Sequence, residues 1–185
     1  KSLRFALQNL LPDPKDRRTM YRLNNVLYQW LRTEPGLKQK GFQQIPKLDD
    51  FSLNNEYELT TVWKQPWKVN WEVAGKVTIM IPPVNPSEQI GAPSGTKSIS
   101  LHIAVIGCKL ENGAVTEHEI ASTAIPYSDT QLGAVKIELP FTFESGVVAV
   151  AAVSLQYHLK SETPSIQRNP LRWKPAGIID AVYYY

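Results

Sequence analysis

At 185 residues, with 43% apolar and 20% charged residues, the chain can bury one sizeable core, and intrinsic disorder is excluded as its default. A single cysteine, Cys108, excludes a disulfide framework and any multi-cysteine zinc site. The net charge of +3 conceals an asymmetry: residues 1–40 hold nine Lys/Arg against three Asp/Glu, a local +6 that leaves the rest of the chain at −3.

Residues 2–11 place Leu3, Ala6, Leu7, Leu10 and Leu11 on one helical face, and Pro12 and Pro14 stop that helix. Asp16 can cap a second helix, expected over 17–32, whose stripe is Met20, Leu23, Val26, Leu27, Trp30 and Leu31. Two helices this short do not hold a fold alone, so each stripe needs an apolar surface. The first begins at Lys1 with no residue to cap it, which predicts that more chain precedes it. No apolar run approaches the ~18 residues of a membrane-spanning helix.

The sequence divides into an amphipathic helical segment over 1–36, packed on the body, a polar linker over 37–56, and a β-sandwich over 57–185. Trp67, Val69, Trp71 and Val73 alternate with polar residues, and so do Val77, Ile79 and Ile81, which is the period of a strand. Lys97–Lys109 carries Ile99, Leu101, Ile103 and Val105 on one face and Ala104, Ile106 and Cys108 on the other. A strand apolar on both faces is buried on both. Asn112-Gly113 predicts a type I′ hairpin turn into a return strand over 115–125. Further strands are expected at 135–139, 147–159 and 178–184, with a loop over 161–170. About seven strands with no βαβ alternation predict a mainly β (α+β) fold: an antiparallel β-sandwich with an N-terminal helical hairpin.

In this order the chain resembles a group of uncharacterised bacterial proteins of the Bacteroidetes type. The matching stretches are Ile79-Met80-Ile81-Pro82-Pro83, Ala92-Pro93-Ser94-Gly95-Thr96, the strand from Ile99 to Val105, and Pro126-Tyr127. The resemblance covers about residues 1–160. It implies a basic N-terminal segment joined to a C-terminal sandwich, and it brings no activity and no site residues.

Catalytic patterns are missing. No G-x-S-x-G, P-loop, G-x-G-x-x-G or H-E-x-x-H occurs. His102, His118 and His158 are scattered over predicted strands, and Cys108 reads as a buried structural thiol. The acid pairs Asp49-Asp50 and Glu117/Glu119 read as solvated. The sequence therefore predicts no enzyme, no cofactor and no metal. Aromatic residues offer the candidate binding positions. Trp63, Trp67 and Trp71 recur every four residues, the last two on one expected strand face, and Tyr183-Tyr184-Tyr185 end the chain. Buried, the tryptophans are core; exposed, they can stack on sugar rings. The expected function is a non-catalytic structural or interaction protein that assembles with itself or within a larger complex. The rival is a carbohydrate-binding module using the tryptophan row, and nucleic-acid binding by the basic helices ranks third. No feature assigns a compartment.

Overall fold

The computed structural model describes Leu7 and residues 17–33, 41–159 and 174–185. Among them, eight strands form two antiparallel sheets. The larger sheet runs in the order β1 (Phe42–Gln44), β8 (Ala176–Tyr184), β7 (Val147–Leu159), β4 (Thr96–Lys109) and β5 (Val115–Pro126). The smaller runs β2 (Lys68–Glu72), β3 (Lys76–Ile81), β6 (Val135–Pro140). A long helix, α1 (Arg17–Thr33), precedes them, and two single-turn helices, α2 (Leu59–Val62) and α3 (Pro86–Gln89), lie in the connections.

Alternation in the strands separates two apolar layers. Ile79 and Ile81 of β3, Leu101 and Ile103 of β4, and Val153 and Leu155 of β7 meet between the sheets. The alternate residues Ala104, Ile106, Cys108, Val148 and Val150 make the other face of the large sheet. Onto that face pack Met20, Leu23 and Trp30 of α1, together with Ile45, Leu48 and Leu53. The doubly apolar β4 and β7 are thus covered on both sides, as their sequence requires. No acidic residue stands in the first turn of α1, and its last turn carries Arg32. Its anchorage comes from the buried stripe, since a helix of this length is marginal alone.

Several expectations need correction. Residues 42–44 are a strand rather than linker, paired with Tyr184–Val182 of β8. The rest of that stretch is also built in: Ile45, Leu48 and Leu53 are fully buried. The count is therefore eight strands, not seven. The β4–β5 hairpin exists, but its turn is not type I′, because only Gly113 has positive φ there (+69°). Instead the Gly113 amide donates to Lys109 O (2.8 Å), the Lys109 amide donates to Ala114 O (2.9 Å), and Asn112 Oδ1 accepts from the Ala114 amide (2.8 Å). A longer loop with one left-handed glycine serves as well as a two-residue turn when an Asn side chain satisfies the spare amide. The predicted helix over 2–11, its proline stop, the Asp16 cap and the 161–170 loop lie outside the described residues. Leu7 alone is described there, and it is buried in the α1 layer.

Candidate functional site

The tryptophans recurring every four residues do not form one row. Trp63 closes α2 as its C-terminal cap, its amide donating to Leu59 O (2.8 Å). Trp67 lies just before β2, because that strand begins at Lys68. The two indoles stack with centroids 4.5 Å apart and planes 23° from parallel. Trp63 is buried and Trp67 half-buried. Trp71, inside β2, is buried against Phe141 and Phe143, both edge-on to it. Trp67 and Trp71 both pack against the core between the sheets, as expected of residues on one face, but only Trp71 lies within the strand and Trp67 stacks on Trp63.

The terminal tyrosines are divided in the same way. Tyr183 is buried in the α1 layer, edge-on to Trp30 at 5.8 Å. Tyr184 contacts Phe42 and Phe143. Tyr185 is 40% exposed, and its backbone exchanges hydrogen bonds with Gly41. The tail is therefore largely part of the fold, with Tyr183 buried and Tyr184 half-buried because β8 is an interior strand.

The stacked pair opens onto a cleft of about 550 Å³ between β8 and the start of β2. Its lining includes Gln44 at the end of β1, Asp49 and Asp50, Thr60 and Trp63, Gln65, Trp67 and Lys68, and Asp180 of β8. Sequence reasoning did not single out Gln44 or Asp180, and it read Asp49-Asp50 as a solvated acid pair. Asp180 reaches the cleft through a β-bulge. Ala152 pairs with Ile178 and Ala151 with Asp180, which leaves Ile179 as an extra residue. A bulge re-aims the side chains around it. Ile178 and Ala181 pack in the α1 layer, whereas Ile179 packs in the core between the sheets. Asp180 turns to the smaller sheet, where Trp71 Nε1 donates to its Oδ2 (3.0 Å). With its amide nitrogen turned to the same carboxylate, Gln44 donates to Asp180 Oδ1 (2.9 Å) and to Ala181 O (3.2 Å). Trp71 thus supports the cleft by holding Asp180 in place.

The electrostatics follow from this crowding. Asp50 takes a left-handed φ of 61°, a conformation that Asp and Asn tolerate better than most residues. Desolvation, followed by the negative charges of Asp180 and Asp50, raises the Asp49 carboxyl from 3.8 to about 6. Desolvation also raises Asp180, opposed by the bond from Trp71 and one from the Ala181 amide. Among the described residues no ion pair reaches any of the three carboxylates; the ion pairs there belong to Glu72, Glu138 and Glu144.

The remaining candidate groups lie elsewhere. Cys108 is buried under α1, where desolvation raises its thiol to about 11. His102 Nε2 lies 3.1 Å from Gln156 Oε1, and His158 Nε2 lies 2.7 Å from Ser100 Oγ. His118 is exposed on β5. Glu117 and Glu119 share that strand, at the edge of the large sheet opposite β1. Among the described residues no group of three or more His, Cys, Asp or Glu is arranged to hold a metal ion, and no helix is long and apolar enough to cross a membrane. No protein-family model and no curated protein matches the chain.

Proposed function

We propose that the protein is a non-catalytic recognition domain whose cleft between β8 and β2 binds carbohydrate. The observation that carries this reading is the meeting of the stacked Trp63–Trp67 pair with Gln44, Thr60, Gln65 and three aspartates in one concavity of about 550 Å³. Sugars present apolar ring faces edged by hydroxyls, and a half-buried indole beside amide and carboxylate groups complements both. Binding is favoured over hydrolysis because no recognised catalytic motif occurs in the sequence. The test is calorimetric titration of the chain with neutral and amino oligosaccharides, beside a Trp67→Ala variant. Binding that the variant loses supports the reading, and steady release of shorter sugars overturns its non-catalytic part.

A second reading, assembly with itself or within a larger complex, rests on a different surface. Tyr21 is 71% and Tyr28 59% exposed, two turns apart on α1, with the Arg32 guanidinium over the Tyr28 ring at 5.6 Å. Exposed tyrosines beside arginine are the composition of a protein contact. A Tyr21→Ala/Tyr28→Ala variant tests it: its mass by light scattering should fall below that of the parent, and equal masses count against self-assembly.

A further inference from the structure

The charge lining the cleft narrows the ligand beyond carbohydrate in general. Three carboxylates, Asp49, Asp50 and Asp180, face one ammonium, Lys68, so the lining is net negative. Among the described residues the ion pairs belong to Glu72, Glu138 and Glu144; exposed acids such as Glu88, Glu111 and Asp129 have none, but these lie outside the concavity. Among the same residues the three aspartates of the cleft have none either. What holds Asp180 is a pair of neutral donors, Trp71 Nε1 and the Gln44 amide, which leave its charge uncompensated. Uncompensated negative charge in a concavity with low-dielectric walls attracts a cation. The indoles act in the same direction, because the face of a tryptophan ring is electron-rich and draws a positive group. A metal is not the occupant this arrangement suits, since among the described residues no group of three or more His, Cys, Asp or Glu could hold a metal ion. An organic cation attached to a ring of sugar size uses both features.

We infer that the cleft selects a sugar bearing a free ammonium group over its uncharged counterpart, the ring lying against Trp67 and the ammonium drawn by the net negative lining that Asp49, Asp50 and Asp180 provide. This rests on the carbohydrate reading. The raised Asp49 carboxyl agrees with it: an arriving positive charge favours the ionised form that Asp180 and Asp50 disfavour, so binding should expel a proton from Asp49.

The experiment titrates the full chain by calorimetry with a glucosamine oligomer, its fully N-acetylated form and a neutral glucose oligomer, at about pH 6, where the oligomer amines are largely protonated and the Asp49 carboxyl, raised to about 6, is part ionised. N-acetylation keeps the ring and removes the charge. The glucosamine oligomer should bind about tenfold more tightly than the acetylated one, a difference of ~1.4 kcal/mol. An Asp49→Asn/Asp50→Asn variant, altering exposed side chains and keeping an Asn at the left-handed position, should lose that preference, its affinities for the charged and uncharged oligomers becoming equal whatever change is common to both. Equal affinity for charged and uncharged oligomers overturns this inference and leaves the carbohydrate reading standing. No binding of any oligomer overturns both. A lysine oligomer binding as tightly as the glucosamine oligomer keeps the cation and removes the sugar.

Discussion

Truncating Leu23 to alanine tests whether α1 is part of the fold. Leu23 is 1% exposed, between the helix and the outer face of the large sheet, in the cluster that holds Ile106, Cys108 and Val150. The substitution removes buried carbons and leaves a cavity, for which ~2–5 kcal/mol is usual. A single helix on the outside of a sheet can settle inward and close part of the void, so a value near 3 kcal/mol is expected, about the middle of that range. For a chain of this size it lowers the thermal midpoint by ~6–12 °C. It should also lower the urea midpoint without altering the slope of the transition. Tyr21→Ala is the control: it removes a larger side chain from the same helix, but one 71% exposed, and should change stability by less than about 0.5 kcal/mol. Circular dichroism in urea reads both. Small and equal changes would mean that α1 does not bear on the sheet in solution, and the three-layer packing would fail.

Other outcomes follow from the same packing. Cys108, buried with its thiol raised to about 11, should react with a thiol reagent at neutral pH only as fast as the protein opens; prompt labelling of the native chain would contradict the covering layer. Gly107 pairs with Glu117 and Cys108 with Val115, which leaves Thr116 as the extra residue of a bulge in β5. A Cβ added at Gly107 would lie 2.8 Å from Thr116 Oγ1 and 3.0 Å from Phe141 Cζ, so Gly107→Ala should cost ~1–3 kcal/mol in urea unfolding, and an unchanged midpoint would show that this bulge yields freely. Asp49 binds its proton more tightly folded than unfolded, so its contribution to stability is greatest below about pH 4 and falls as pH rises through about 6. Asp49→Asn should therefore raise the thermal midpoint near neutral pH and leave it unchanged in acid; the reverse order would show that Asp49 is stabilised as a carboxylate.

The strands of the sandwich were legible because burial on alternate residues writes a period of two into the chain. Val147–Leu159 and Thr96–Lys109 carried it on both faces, which predicted a covering layer as well as a sheet. Phe42–Gln44 was not legible. Phe-Gln-Gln has no alternation, and it is a strand only because the edge of β8 lies beside it. The cleft was half legible. Regular spacing drew attention to Trp63, Trp67 and Trp71, yet spacing alone assumed a strand where the chain makes a helical turn, a loop and then a strand. Asp49 and Asp50 looked like solvated linker acids, and they do lie exposed. The effect of Asp50 and Asp180 on Asp49 depends on β1, β8 and α2 meeting, which no local pattern encodes.

The bulge at Ile179 joins the fold to the cleft. β8 is squeezed between two apolar layers, with Ala176, Ile178, Ala181 and Tyr183 facing α1 and Ile179 and Val182 facing the smaller sheet. In an unbroken strand, alternation would set Asp180 among the first group, in the layer with Met20 and Trp30. There an aspartate would be stripped of water without Trp71 or Gln44 to satisfy it, at a cost of several kcal/mol. One extra residue turns it instead to the open side of the sandwich, where β1 and β2 are the free edges of their sheets. Two neutral donors then fix its position without cancelling its charge, and that charge contributes to the raised pKa of Asp49. A domain shaped by stability alone would have an apolar residue or a lysine partner here. The raised Asp49 carboxyl, beside a stacked tryptophan pair, costs stability near neutral pH, and a positively charged ligand would offset that cost by binding.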